Sequence, residues 1–295
     1  MKKLNYFLSL LTCFSLIPTV AAEKEVASPK NTVIAFDMDD VMSIKQKPGF
    51  TDFIGLTRIV VKNPRVLLAL AHIKELAREG SELGKTMNGA GNIVHAMLSK
   101  LADRGYGDFS PYEDEILMRS IKPQPMDAMV TAVKELKRQG YSVIGATNHD
   151  WRQHSAYRTK MRAHGVDLNE LFDAVVVTRV QTDHDMPETT SWYQPCADEN
   201  MYAAVDTNAY KPYEAYYSVL KDVAHHVAHQ KGVAVDRIIF TDDKKENVIA
   251  ASDAEITALH FDLLGGSARK TTPEDRQATI ATWKQQLGEH GITVA

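Results

Sequence analysis

The sequence predicts an α/β fold, a mostly parallel sheet covered by helices, and three observations support it. Short apolar segments alternate with segments of helical periodicity from residue 126 onwards. Residues 33–36 are apolar throughout, as expected of a strand that is buried on both faces. Several predicted strands end in polar residues, and parallel strands bring such ends to one edge of a sheet. We therefore predict a Rossmann-like, doubly wound parallel core with its functional site at that edge.

Carboxylates follow the first predicted strand at Asp37, Asp39 and Asp40. On an extended backbone Asp37 and Asp39 project to the same side, where their charges repel unless a cation or a shared proton relieves them. The pattern indicates a catalytic or metal-binding pair. The alternative is an acidic turn without a function, because Asp favours turns.

Two later strands also end in polar residues, the first in Thr147 and Asn148 and the second in Asp242 and Asp243. Each pair has a structural alternative, since Thr and Asn cap helices and acidic residues favour helix N-termini. Lys211 lies between the two pairs, before a predicted helix, and its alternative is a solvated lysine. Polar residues at the ends of several strands together are stronger evidence for a functional site than any one of these groups alone.

These residues resemble the sequence motifs of the haloacid dehalogenase (HAD) superfamily of phosphohydrolases. A single motif of this kind is a weak indication, whereas four in order on alternating elements are a strong one. The resemblance covers most of residues 32–262 and implies a HAD-like α/β core. The motifs are Phe-Asp-Met-Asp-Asp-Val at 36–41, Ala-Thr-Asn at 146–148, Lys-Pro at 211–212 and Thr-Asp-Asp-Lys-Lys-Glu-Asn at 241–247.

The resemblance implies a catalytic role for each matching residue. Asp37 would be the nucleophile that forms an aspartyl-phosphate, and Asp39 would be the general acid and base. Thr147 would hydrogen-bond the phosphoryl oxygens with Asn148 beside it, and Lys211 would offset the negative charge of the nucleophile and the substrate.

The resemblance also implies Mg²⁺ as the cofactor. The ion would bind Asp37, the backbone carbonyl of Asp39, and Asp243, in an all-oxygen shell completed by water. Asp242 and Asn247 are additional candidates for this site. Asn247 stands where the family has a second acid, which leaves open whether it reaches the metal through water or only supports the loop.

The implied activity is hydrolysis of a small phosphomonoester. Within the superfamily Asp39 favours a phosphatase over a dehalogenase, because the leaving oxygen of an ester needs a proton and a halide does not. Two alternatives stay open: a catalytically silent HAD-fold binding or effector protein, and a phosphomutase of the same family. The identity of the substrate and the oligomeric state do not follow from the sequence.

The domain organisation follows from the positions of the motifs. Residues 44–125 lie between the first and second motifs, where the resemblance implies a small helical cap. The core would then comprise residues 23–43 and 126–295. Residues 179–207 show no regular period, and we predict an irregular insertion within the core, of unassigned role.

Residues 1–22 have the build of a secretory signal peptide. Lys2 and Lys3 precede an apolar run, and Ala21 and Ala22 supply small residues at its end. We expect an exported protein, periplasmic or secreted, without a stable membrane anchor once the signal is removed. An uncleaved membrane anchor is the alternative.

The composition of the chain further narrows the functional classes to which the protein can belong. The chain has 295 residues and is 44% hydrophobic, enough for one sizeable core and a smaller accessory one. Its formal net charge of −4 argues against nucleic acid as a partner. Cys13 falls within the predicted signal and leaves Cys196 without an intramolecular partner or an assigned role. His225, His226 and His229 lie near helical spacing. One interpretation of this pattern is a metal site, and the favoured interpretation is a helix face exposed to solvent.

Overall fold

The computed structural model describes residues 29–46, 98–108, 110–178, 202–203, 210–263 and 270–294. Within them, eight strands are defined: β1 (Thr32–Phe36), β2 (Ser43–Lys45), β3 (Pro123–Pro125), β4 (Ser142–Asp150), β5 (Ala174–Thr178), β6 (Tyr202–Ala203), β7 (Arg237–Asp242) and β8 (Thr257–His260). Six of them form one sheet in the order β6-β5-β4-β1-β7-β8, in which every neighbouring pair is parallel.

Helices alternate with these strands along the chain, as the sequence predicts. The α/β fold class is therefore confirmed. Residues 98–103 are also helical. The helices with defined bounds are α1 (Glu113–Ser120), α2 (Asp127–Arg138), α3 (Trp151–Ala163), α4 (Leu168–Leu171), α5 (Glu214–Gln230), α6 (Lys245–Asp253) and α7 (Pro273–Glu289).

The sheet is covered by hydrophobic residues on both faces, as predicted for a doubly wound core. Along β1, Ile34 and Phe36 belong to one hydrophobic cluster, and Val33 and Ala35 belong to the other. Helices α2, α3, α4 and α7 contribute to the first cluster, and α5 and α6 to the second. Burial on both sides explains why β1 has no polar alternation in its sequence.

The strand order places a topological switch point beside β1. The chain continues from β1 to β4 and β5 on one side, and later to β7 and β8 on the other. In open α/β sheets, ligands bind outside the carboxyl ends of the strands at such a point. Asp37 directly follows β1, and its backbone N–H donates to the carbonyl of Thr241 in β7 at 2.8 Å. Asp37 therefore lies at the switch point.

A separate antiparallel ribbon leaves the core close to this point. Strand β2 pairs with β3, and the N–H of Gln46 donates to the carbonyl of Lys122 at 3.0 Å. The chain between these two strands is the predicted cap, and its described part includes α1, which lies against α3. Residues 47–97 fall outside the described residues, so the cap and its boundaries stay predictions.

Two other predicted segments also lie largely outside the described residues. They are the signal at 1–22 and the insertion at 179–207, in which Cys196 falls. Within that insertion the structure describes residues 202–203, which add the short parallel edge strand β6. Among the helices that are described, none is both long enough and apolar enough to span a membrane.

Candidate active site

A buried ion-pair network lies at the carboxyl ends of β1 and β7. Lys211, in the turn before α5, places its Nζ 2.6 Å from Oδ1 of Asp37 and 2.6 Å from Oδ2 of Asp242. The same Nζ donates to the carbonyl of Ala146, at 3.0 Å. All three charged residues are buried, and Lys211 is only 4% exposed. Groups that are far apart in the sequence thus meet at one point.

The electrostatics of this network show an excess of negative charge. Burial raises the pKa of Asp37 well above its usual value, repulsion from Asp242 and Asp243 adds to this, and Lys211 opposes it. Burial disfavours the charged form of Lys211, but Asp242 and Asp37 outweigh burial and raise its pKa. The lysine is therefore charged, and one lysine does not neutralise three neighbouring carboxylates.

Three carboxylates of this site can share a cation. One carboxylate oxygen from each residue lies within 4.8 Å of the other two in a cluster formed by Asp37, Asp242 and Asp243. Among the described residues, this is the only such cluster of three or more His, Cys, Asp or Glu. Burial and repulsion from Asp242 raise the pKa of Asp243 to about 6. A divalent cation would offset this repulsion, and an all-carboxylate donor set suits Mg²⁺. The residues therefore fit the implied cofactor.

The histidines of α5 form no comparable group. His225 and His229 are exposed, and His226 has its Nε2 3.0 Å from the side-chain nitrogen of Gln230. The described residues do form a cluster of possible metal ligands, but it lies elsewhere, at the ends of β1 and β7. This face of α5 is therefore exposed to solvent at His225 and His229.

The loop after β7 is held by side chains of its own motif. Oδ1 of Asp242 accepts hydrogen bonds from the backbone N–H of Lys244 and from the side-chain amide of Asn247, both at 2.9 Å. His260 of β8 places its Nε2 3.0 Å from the carbonyl of Asp243. The amide of Asn247 thus supports the loop through Asp242, which is one of the two roles that the sequence leaves open.

Asn148 holds the backbone of Lys211 in place. Its side-chain amide donates to the carbonyl of Lys211 at 3.0 Å, and its Oδ1 accepts the N–H of Lys211 at 2.8 Å. This pair of bonds fixes the backbone from which the lysine reaches Asp37. The sequence predicts Asn148 beside the phosphoryl group, and the structure adds this positioning role, which sequence reasoning missed.

Thr147 and His149 lie in a part of β4 where the pairing with β5 shifts register, between Ala146 and Asp150. Such irregularities re-aim side chains and are frequent next to active sites. The hydroxyl of Thr147 accepts the backbone N–H of His149 at 3.1 Å and is 2% exposed. No described residue accepts the proton of this hydroxyl, and its predicted contact with a phosphoryl oxygen stays a prediction.

Asp39 lies apart from the ion-pair network, on the loop between β1 and β2. Its Oδ2 is 3.1 Å from Nε2 of His149 and 3.2 Å from Nζ of Lys45, and its side chain is 29% exposed. Burial opposes ionisation here, but the charge interactions with His149 and Lys45 outweigh it and hold the pKa of Asp39 well below its usual value. Asp39 is therefore an ionised carboxylate at the rim of the site.

Sequence reasoning missed both partners of Asp39. His149 stands two residues after Thr147 on β4, so strand alternation alone would have placed it near the same site. Lys45 carried no such signal, because its position depends on the antiparallel pairing of β2 with β3. The first partner could have been predicted, and the second required the structure.

Comparisons with known proteins give likenesses of fold. No protein-family model matches the chain, and no curated protein matches it. A HAD family enzyme from Bacteroides thetaiotaomicron, solved with magnesium and inorganic phosphate, has a TM-score of 0.44 and 11% identity over 78% of this chain and 93% of that chain. A HAD-like family hydrolase from Porphyromonas gingivalis has a TM-score of 0.42 and 14% identity over 78% of this chain and 90% of that one. L-2-haloacid dehalogenase from Xanthobacter autotrophicus has a TM-score of 0.43 and 13% identity over 85% of this chain and 87% of that one.

Proposed function

We propose that this chain is a HAD-type phosphatase that hydrolyses a small phosphomonoester through an aspartyl-phosphate on Asp37. One observation carries the proposal: Asp37, Lys211 and the Asp242–Asp243 pair converge at the switch point of the sheet, with Lys211 Nζ 2.6 Å from Asp37 Oδ1. A carboxylate paired with lysine and surrounded by further acids suits a metal ion and an anionic phosphate. Asp39 lies nearby on the following loop and supplies the acid–base group that ester chemistry needs.

The first half of the proposed reaction forms the intermediate. An oxygen of Asp37 attacks phosphorus and the bond between phosphorus and the leaving oxygen breaks. Asp39, which first takes up a proton from solvent, gives that proton to the leaving oxygen. Lys211 offsets the charge of Asp37 and of the phosphoryl group. When bound by Asp37, Asp243 and the carbonyl of Asp39, Mg²⁺ would supply charge compensation between the anionic nucleophile and the anionic substrate.

The second half hydrolyses the intermediate. A water molecule attacks phosphorus, Asp39 takes the proton of that water, and the bond between phosphorus and Asp37 breaks to release inorganic phosphate. The lowered pKa of Asp39 favours its ionised form, which is the form that accepts this proton. Thr147, with its hydroxyl proton available, would hydrogen-bond a phosphoryl oxygen throughout.

The first experiment is phosphate release from a panel of phosphomonoesters, including p-nitrophenyl phosphate, with and without Mg²⁺. We expect activity that requires Mg²⁺ and that falls about a thousandfold or more in Asp37→Asn. Asp222→Asn, which changes an exposed carboxylate on α5, is the matched control and should keep full activity. Wild-type protein that is as inert as Asp37→Asn on every ester would favour a binding or effector protein.

A second experiment looks for the intermediate itself. Reduction of an acyl phosphate by borohydride converts the aspartate to homoserine, which peptide mass spectrometry locates. We expect homoserine at position 37 after quenching during turnover, and none in Asp37→Asn. Release of an isomeric phosphate ester in place of inorganic phosphate would indicate a phosphomutase.

We also propose that the protein is exported, on the composition of residues 1–22 alone. The chain as synthesised should lose these residues on its way out of the cytoplasm. The mass of the mature N-terminus in the exported fraction tests this, and a chain that keeps Met1 would contradict it.

A further inference from the structure

We propose that His149 positions Asp39 for proton transfer to the leaving group, so that it acts through Asp39 and not on the substrate. This inference rests on the proposed phosphatase function. Its starting point is the contact between Nε2 of His149 and Oδ2 of Asp39 at 3.1 Å. His149 is only 4% exposed, so it is not placed to bind substrate at the surface.

The contacts of His149 assign its tautomer. Its Nδ1 is buried and has no hydrogen-bond partner among the described residues, whereas Nε2 faces a carboxylate. The ring nitrogen that faces an ionised acceptor is the one that gains from carrying an N–H. His149 therefore donates from Nε2 to Oδ2 of Asp39.

A frame of buried groups holds the ring of His149 against the loop of Asp39. The ring lies 5.1 Å from that of Tyr157, whose hydroxyl donates to Oγ of Ser43 at 2.8 Å. Ser43 closes the loop, because its N–H donates to the carbonyl of Met38 at 3.1 Å and its own carbonyl accepts the N–H of Asp40 at 2.8 Å. The distance between His149 and the acid is thus set by strand β4, helix α3 and the loop together.

The two oxygens of Asp39 have different surroundings. His149 and Lys45 both donate to Oδ2, and no described residue donates to Oδ1. Oδ1 is then the oxygen that carries the proton to the leaving group and takes it from water. The side chain of Lys45 is 54% exposed, so the buried His149 is the more rigid of the two anchors. Removing His149 would free the carboxylate to rotate away from the leaving oxygen.

The test uses leaving groups that differ in their need for a proton. Glycerol 2-phosphate has an alkoxide leaving group that needs one, whereas p-nitrophenolate leaves without it. In His149→Phe, which keeps an aromatic ring against Tyr157 but removes the donor, we expect kcat for glycerol 2-phosphate to fall about ten- to hundredfold. We expect kcat for p-nitrophenyl phosphate to fall less than about threefold, with KM for both esters little changed.

Two further variants separate positioning from a structural role. His149→Gln keeps an N–H donor near the same place and should recover most of the rate with glycerol 2-phosphate. In an Asp39→Ala background, His149→Phe should cause no further loss, because both changes remove the same proton transfer. His225→Ala, on the exposed face of α5, is the control for loss of a histidine and should match the wild type with both esters.

Two results would overturn the inference while the phosphatase function stands. One is an equal loss with both esters in His149→Phe, and the other is an additive loss in the Asp39→Ala background. If His149→Phe is unfolded by circular dichroism, the leaving-group comparison is made on His149→Leu, which also lacks the donor, and an equal loss with both esters would contradict the proposal. Inert wild-type protein would instead remove the proposed function, and this inference with it.

Discussion

The two halves of the candidate site are built differently. The nucleophile half consists of Asp37, Lys211 and Asp242, which are all buried and share one lysine between two carboxylates. The acid–base half consists of Asp39 with Lys45 and His149, and it lies on a loop and a ribbon where Lys45 is largely exposed. The first half is part of the core of the protein, and the second is attached to its rim.

This difference has an energetic consequence. Removing one member of a buried ion pair leaves an uncompensated charge and typically costs about 3–5 kcal/mol, whereas an exposed pair contributes about 0–1 kcal/mol. Stability and function are therefore coupled in the nucleophile half and separable in the acid–base half. Substitutions of the exposed Lys45 can report on chemistry alone, whereas substitutions around Lys211 report on folding as well.

The largest expected effect comes from removing the shared lysine. Lys211→Met leaves Asp37 and Asp242 buried side by side without a cation, so the free energy of unfolding should fall by about 3–5 kcal/mol. Phosphatase activity should be lost as well. Urea unfolding without Mg²⁺ measures the first effect. Lys45→Met is the matched control, and its free energy of unfolding should change by less than about 1 kcal/mol. Equal destabilisation by the two variants would contradict the comparison.

A smaller effect is expected from the residue that holds the lysine backbone. Asn148→Ala removes both hydrogen bonds to Lys211, and we expect a loss of about 1–3 kcal/mol in unfolding free energy together with a lower kcat. Asn148→Asp keeps the acceptor for the N–H of Lys211 but loses the donor to its carbonyl, so it should be intermediate in kcat. Unfolding curves and steady-state kinetics measure both. A wild-type kcat in Asn148→Ala would show that Lys211 needs no such support.

The sequence predicts the nucleophile half well and the acid–base half only in part. Asp37 and Asp242 lie next to strands whose parallel pairing follows from their apolar sequence, so the edge at which they meet could be predicted. Lys211 could be placed there only through its resemblance to a motif, because a lysine before a helix has no geometric signal of its own. Lys211 contacts both Asp37 and Asp242, and this arrangement depends on side-chain directions that hydrophobic periodicity does not predict.

The partners of Asp39 could not be predicted to the same degree. Lys45 reaches it through the pairing of β2 with β3, in which Lys45 lies opposite Pro123, far along the chain. Non-local pairing of two short strands leaves almost no trace in local sequence. Alternation along β4 would have indicated His149, although the register shift of that strand weakens any argument from alternation.

A pH-dependent effect is expected behind the acid–base half, at His154. This residue is fully buried on α3, and neither ring nitrogen has a partner among the described residues. Burial, with repulsion from His149 and Arg158, lowers its pKa well below the usual value. The unfolded chain takes up a proton near pH 6.5 and the folded chain does not, so stability present above pH 6.5 is lost as the pH falls, at up to about 1.4 kcal/mol per unit.

His154→Phe should remove this dependence. Between pH 6.5 and pH 5 its unfolding free energy should fall less steeply than that of the wild type, by up to about 1.4 kcal/mol per pH unit. Above pH 7 the two proteins should differ little or the variant should be the more stable, because an unpaired buried polar ring is replaced by an apolar one. His225→Ala, exposed on α5, should keep the wild-type slope. An unchanged slope in His154→Phe would mean that His154 takes up its proton equally in both states.

The smallest expected effect tests what makes the nucleophile half rigid. Beneath it, Nε1 of Trp283 donates to the hydroxyl of Thr241 at 3.1 Å, and the indole meets the ring of Phe36 edge-on at 5.7 Å. Trp283→Phe leaves the threonine hydroxyl without this donor and should lower the unfolding free energy by about 1 kcal/mol. We expect kcat to stay at the wild-type value, because the positions of Asp37 and Asp242 are set by the strand pairing and by Lys211. A reduced kcat in Trp283→Phe would place the source of that rigidity in the packing under the strands and not in the ion-pair network above them.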